Sequence, residues 1–127
     1  MRGKPVILVV DDDAPILILM RSVLREFGFE ARTASNGQAA LAEAAQTSPD
    51  LILLDKNMPG MTMREIIDAL RGHPLLSGVP ILILSGDPMA PDEIAALGAA
   101  GAVQKPFDLA RLVDQIRTHV GPGSSQL

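Results

Sequence analysis

A doubly wound α/β fold is predicted for this 127-residue chain, and three observations predict it. Short apolar runs alternate with helix-periodic segments from end to end, the pattern of strands joined by crossover helices. The runs are a few residues long and read as buried parallel strands rather than one-sided antiparallel ones. Four of them end in a polar group suited to phosphate chemistry: Val6–Val10 runs into Asp11, Asp12 and Asp13; Leu51–Leu54 into Asp55; Ile81–Leu84 into Ser85; Ala102 and Val103, through Gln104, into Lys105. In one parallel sheet all four groups converge on the carboxyl edge, where open α/β sheets place their sites.

Val6–Val10 is the first strand. Ala14–Phe27 follows with helical spacing, and Ile16, Leu19, Met20, Val23, Leu24 and Phe27 fall on one side of the wheel. Gly28 is its stop. Glu30–Ala34 reads as an edge strand of lower hydrophobicity. Ser35 is placed as the cap of a second helix that carries Ala39, Leu41, Ala42 and Ala45 to a stop at Ser48-Pro49. Leu51–Leu54, the most apolar run, is assigned a central position. Thr62 and Glu65 have capping-box spacing and start a third helix running from about Met63 to Leu70.

Ile81–Leu84 is the fourth strand, and Pro91, Asp92 and Glu93 suit the first turn of a short fourth helix. Ala102–Gln104 is the fifth strand. Asp108 is placed as the cap of the last helix, with Phe107 and Leu112 at hydrophobic-staple spacing. Residues 1–120 are expected to form one domain and 121–127, a polar Gly/Ser-rich stretch, a flexible tail.

Composition narrows the functions. Hydrophobic residues make up 47% of the chain, enough for a real core, and no run approaches the length of a membrane span. The absence of cysteine excludes disulfides and thiolate metal sites. The N-terminus enters a strand directly and does not read as a signal peptide, so a cytoplasmic protein without membrane association is expected. A net charge of −4 argues against general nucleic-acid binding. With three Phe and no Trp or Tyr, a base-stacking platform has no material. His73 and His119 follow no ligand spacing and read as surface residues. The glycine fingerprints of dinucleotide and P-loop sites are missing.

At the sheet edge, Asp11, Asp12 and Asp55 would lie close together. Like charges this close raise one another's pKa unless a cation is present. An all-oxygen donor set selects a hard cation, Mg²⁺ first among them. A carboxylate can act as a nucleophile and hold a phosphoryl group as an acyl phosphate if the charge on the phosphoryl oxygens is neutralised. Lys105 offers a cation and Ser85 a hydroxyl. Asp55, alone on the central strand, is the candidate acceptor. Taken singly, each of these residues is ordinary: an Asp run is a helix N-terminus, a Ser a turn residue, a Lys a solvated surface group. The joint pattern lifts them.

That pattern resembles the receiver domain of two-component response regulators over nearly the whole chain. The matching stretches are Leu8-Val9-Val10-Asp11-Asp12-Asp13, Asp50-Leu51-Ile52-Leu53-Leu54-Asp55 with Asn57-Met58-Pro59-Gly60, Ile83-Leu84-Ser85, and Gly98-Ala99 leading to Lys105-Pro106-Phe107. The resemblance implies a flavodoxin-like (βα)5 sandwich whose five-stranded parallel sheet has the order 2-1-3-4-5. It implies phosphorylation of Asp55 by a histidine kinase or phosphotransfer protein. It implies Mg²⁺ held by Asp11, Asp12, Asp55 and the backbone carbonyl of Asn57. It implies a Ser85 that moves onto the phosphoryl oxygen, a Lys105 that pairs with it, and a cis Lys105-Pro106 bond. On this reading the chain is a chemotaxis-type single-domain switch. It is not an enzyme beyond self-phosphorylation and self-dephosphorylation.

Several positions depart from the family. Ala102 stands where many receivers carry a bulky switch residue, which shifts the expected response to the loop from Gly86 to Pro91. Met63 stands in place of the usual glycine and Thr62 in place of aspartate, so strain or rearrangement is expected there. Gly86 leaves the acceptor open to small phosphodonors. Asn57 and Asp87 occupy the two positions that tune dephosphorylation in the family. Ile18, with Leu17 at the stripe's margin, lies on the helix face where the family docks its kinases.

Two rivals compete. A haloacid-dehalogenase-type phosphatase would use Asp11-x-Asp13, but it needs an acidic pair after the lysine, where only Asp108 and Asp114 stand, and it leaves Asp55 without a role. A degenerate receiver would act as a constitutive protein-binding module; the intact site residues argue against it. No output domain is present in these residues, so the readout is expected from another protein or from a removed domain: a motor, a kinase, a phosphotransfer protein or a diguanylate cyclase system. The sequence leaves monomer and phosphorylation-dependent dimer equally open.

Overall fold

A computed structural model describes residues 3–120; the tail expected at 121–127 lies outside the described residues. Five strands alternate with five helices: β1 Val6–Val10, α1 Ala14–Glu26, β2 Glu30–Ala34, α2 Gly37–Thr47, β3 Leu51–Asp55, α3 Met63–Gly72, β4 Ile81–Ser85, α4 Pro91–Leu97, β5 Gly101–Gln104 and α5 Leu109–Val120. The sheet is parallel throughout, in the order β2-β1-β3-β4-β5. The doubly wound fold and the strand order are thus as expected. β3 and β4 each reach one residue further than the apolar runs suggested, so Asp55 and Ser85 close their strands.

Strand alternation sorts the core into two layers. Ile7, Val9, Leu51, Leu53, Leu82 and Leu84 face Met20 and Leu24 of α1 and Leu112, Val113 and Ile116 of α5. Leu8, Val10, Ile52, Leu54 and Ile81 face Ala40 and Ala44 of α2 and Ile66, Ile67 and Leu70 of α3. A strand buried on both faces has no polar alternation to display, which is why β1, β3 and β4 read as continuous apolar runs.

The helix ends follow their chemistry, with two corrections. The Thr62–Glu65 capping box is present, both side chains bonding back to the first turn. Asp108 Oδ1 accepts from the amides of Ala110 and Arg111 at the start of α5, and Phe107 packs on the layer that holds Leu112. The cap of α2, however, is Asn36, whose side chain accepts from the Ala39 amide at 2.8 Å. Ser35 was the expected cap, and two adjacent cap-competent residues cannot be ranked from sequence alone. In α1, Met20 and Leu24 are buried, but Leu19 is exposed, and the buried stripe is centred nearer Leu17. The strain expected at Met63 does not arise. It is the first residue of α3, and the positive φ of that loop falls on Gly60 (φ 89°). Gly28 and Gly98 also take positive φ, just past the ends of α1 and α4.

Candidate functional site

Parallel register brings the site together. Val10 pairs with Leu54, so the next residues, Asp11 and Asp55, leave neighbouring strands at the same level. Asp55 pairs with Leu84, and Ser85 with Gln104, which places Lys105 one step past the end of β5. The Lys105 amide donates to the Ser85 carbonyl at 2.7 Å and fixes that step. The Lys105-Pro106 bond is cis.

Carboxylate oxygens of Asp11, Asp12 and Asp55 all lie within 4.8 Å of one another. Asp11 and Asp55 are buried and Asp12 is exposed. Among the described residues one cation is bonded to them: Lys105 Nζ donates to Asp11 Oδ2 at 3.1 Å and to Asp55 Oδ1 at 3.2 Å. Those contacts join residues 94 and 50 positions apart in the chain. Two backbone amides complete the pocket. Asp13 N–H donates to Asp11 Oδ1 at 2.9 Å, and Asn57 N–H to Asp55 Oδ1 at 3.4 Å. These backbone donors are set by loop conformation, and no side-chain pattern announces them.

Three carboxylates against one ammonium leave negative charge in excess. Its effect falls on Asp55: burial, then the Asp11 charge, raise its carboxyl pKa above the ordinary 3.8, against the opposing pull of Lys105. Lys105 moves in its own favour. Desolvation works to lower its pKa, but the hydrogen bonds and charges of Asp11 and Asp55 outweigh that and raise it. A small, oxygen-lined, anionic cluster with an exposed member fits a hard divalent ion such as Mg²⁺.

Ser85 lies at the same edge, but its hydroxyl is engaged elsewhere. It donates to the Asp87 carbonyl at 2.6 Å and accepts from the Asp87 amide at 3.1 Å. Sequence placed Ser85 correctly and gave no sign of this closed turn. A Cβ at Gly86 would meet nothing within 4 Å, so the space beside the pocket is open. Asp13 and Asp108, which a phosphatase reading would employ, lie outside the acidic cluster; Asp108 is occupied in capping α5.

The chain matches the model of the response regulator receiver domain over residues 7–117. It is 41% identical over 117 residues to the transcriptional regulatory protein PrrA of Mycobacterium leprae, covering 91% of this chain and 49% of that protein. It is 37% identical over 116 residues to the DNA-binding response regulator MtrA of Mycolicibacterium paratuberculosis, covering 90% of this chain and 50% of that protein. The chain therefore spans about half the length of the curated relatives it matches. Among solved structures, the chemotaxis protein CheY4 of Vibrio cholerae superposes with a TM-score of 0.86 at 33% identity, covering 92% of this chain and 99% of that one.

Proposed function

This chain belongs to the family of response regulator receiver domains, signalling proteins rather than classical enzymes, and we propose on that footing that Asp55 is its phosphoacceptor. The observation that carries the proposal is the ion-paired triangle of Lys105, Asp11 and Asp55. Both hydrogen bonds made to the Asp55 carboxylate fall on Oδ1, which leaves Oδ2 as the attacking oxygen. Oδ2 attacks the phosphorus of a phosphohistidine on a histidine kinase or phosphotransfer protein. The P–N bond breaks, its electron pair stays on the nitrogen, and the imidazole, already protonated at its other ring nitrogen, leaves as a neutral group. Loss of the phosphoryl group to water, under the influence of Asn57 and Asp87, resets the switch. No turnover of another substrate is part of this reading.

Asp11, Asp12, Asp55 and the backbone carbonyl of Asn57 would hold Mg²⁺. The ion supplies charge neutralisation for the phosphoryl oxygens. Lys105 is already within bonding distance of the acceptor and takes up one phosphoryl oxygen. Ser85 must first give up the Asp87 carbonyl. With Ala102 in place of a bulky residue, the exchange of that bond repositions the loop 86–90 rather than an aromatic ring, and a partner that distinguishes the two loop states reads the result.

The phosphodonor docks on α1, where Ile18 is 71% exposed and shares an apolar surface with Ala14, Pro15 and Leu19. Ile18→Glu slows phosphotransfer from the cognate protein while leaving small-molecule labelling intact; unchanged transfer would refute the contact. No described helix is long and apolar enough to cross a membrane, and a cytoplasmic site of action fits the chemistry. Residues 1–120 constitute the receiver.

The direct test is incubation with acetyl phosphate and Mg²⁺, followed by intact-mass measurement. The wild type gains one acid-stable, base-labile phosphoryl group; Asp55→Asn gains none. A wild type that gains no mass, or an Asp55→Asn protein that labels equally, overturns the assignment.

A further inference from the structure

α4 is anchored unlike the other helices. It contributes no fully buried side chain, and only Ile94 and Leu97 are half-buried. Its N-cap is Ala90, which has no side-chain oxygen for the first-turn amides. Asp92 and Glu93 lend that end their charge but do not hold it to any other element. Its last turn contains no basic residue.

The other end is held from outside. Arg64 of α3 donates from Nη2 to the Ala96 carbonyl at 3.2 Å. Arg71, also of α3, donates from Nη2 to the Gly98 carbonyl at 2.8 Å. Its Nη1 reaches the carbonyls of Ser77 and Val79 at 3.1 and 2.8 Å, in the segment that leads into β4. Carbonyls in a last helical turn lack partners within the helix, and cations there face the negative end of its dipole. Gly98 closes α4 with a backbone cap of its own, its amide and that of Ala99 donating to the Ala95 and Ile94 carbonyls at 3.0 and 3.2 Å, and α3 takes the carbonyls of Ala96 and Gly98 that this cap leaves over. The chain beyond is fixed too: Gly98 turns at φ 81°, and the Ala100 amide donates to the Ile81 carbonyl at 2.8 Å.

We propose that Arg64 and Arg71, added to the backbone cap at Gly98, make the C-terminal end of α4 a pivot. Displacement of the loop 86–90 is then absorbed at the N-terminal end of the helix, with α3 as the fixed mount. The trigger rests on the phosphoacceptor reading; the pivot is a property of the resting protein. Both arginines are positioning residues, distant in role from the acceptor chemistry.

Residue-resolved amide exchange on the intact chain tests it. In the resting protein, the amides of Ile94 and Ala95 exchange about tenfold faster than those of Gly98, Ala99 and Ala100, the ratio expected where one end alone carries charge-assisted hydrogen bonds. Arg64→Ala, or the double variant with Arg71→Ala, lowers that ratio several-fold by speeding the C-terminal amides, whose backbone acceptors at Ala95, Ile94 and Ile81 remain; an unchanged ratio in both variants overturns the role of the arginines. Because Arg71 also holds the approach to β4, Ala90→Ser serves as an independent variant. It adds an N-cap, slows the Ile94 and Ala95 amides several-fold, and leaves the C-terminal amides unchanged. With beryllofluoride and Mg²⁺, the change in exchange is confined to residues 86–95 in the wild type and spreads to 96–100 in Arg64→Ala. Uniform exchange along α4 at rest, or a response equal at both ends, overturns the pivot. Failure of the acceptor shows separately, as absence of the mass gain in acetyl phosphate, and the resting ratio then decides the pivot alone.

Discussion

β3 and α4 are held in opposite ways. All five residues of β3 are buried, and it has a strand neighbour on each side. α4 buries none of its residues and is tied chiefly at one end. The acceptor candidate sits on the first and the expected response runs through the second. Phosphoryl transfer onto a carboxylate needs donors fixed in advance, and a strand locked on both faces and both edges supplies them. A switch needs an element whose two positions differ by little free energy, and a helix with few buried contacts supplies that.

The widest gap between the two regions is in core energetics. Leu53 is fully buried between β1 and β4. Leu53→Ala is expected to cost about 3 kcal/mol in chemical denaturation, transfer and cavity terms together. Ile94→Ala, on the half-buried face of α4, is expected to cost about 1 kcal/mol and to alter exchange locally. Equal losses would mean that α4 is a structural member like β3 and would remove the basis for the contrast.

Sequence revealed the first region far better than the second. β1, β3 and β4 announced themselves because burial on both faces makes an uninterrupted apolar run, and the parallel register then placed Asp11, Asp55, Ser85 and Lys105 at one edge. What stayed hidden was set by conformation rather than residue type. The closed Ser85–Asp87 turn, the Asp13 and Asn57 amides on the carboxylates, and the Arg71 contacts to two segments all depend on backbone paths that one side-chain pattern does not fix. Leu19 was misplaced for a related reason. A helical wheel gives the direction of the apolar stripe but not its width, and α1 buries only the Met20–Leu24 side closely.

A divalent cation acts on the same contrast with a somewhat smaller effect. An ion that binds the native cluster and not the unfolded chain adds about 2.7 kcal/mol of stability at a hundred times its Kd, and Mg²⁺ is expected to do so here. The gain is expected as a concentration-dependent rise in Tm. Asp11→Asn loses most of it, and added protection from amide exchange falls on the ends of β1 and β3 while the N-terminal turn of α4 gains little. A Tm indifferent to Mg²⁺ in the wild type would remove the cation from the account of the pocket.

The smallest effect concerns the penalty that the fold places on its candidate acceptor. In the absence of divalent cation, burial and the Asp11 charge hold the Asp55 carboxyl pKa above its ordinary 3.8. The unfolded chain therefore releases this proton at lower pH than the folded one. Below 3.8 both states carry the proton and Asp55 costs nothing. As pH rises from there through the folded value, the unfolded state ionises first and native stability falls; above the folded value the cost is complete and constant. Asp55→Asn removes the ionisation and keeps an acceptor oxygen for Lys105 and the Asn57 amide. The variant is thus expected to melt a few degrees above wild type at neutral pH in EDTA, with the difference closing as the pH falls toward 3.8. Mg²⁺ should reverse the order, because the wild-type carboxylate then has a cation to repay its burial and the amide does not. A variant less stable than wild type at neutral pH without cation would mean that Lys105 alone already compensates the buried pair, and the pocket would need no metal to hold its charge.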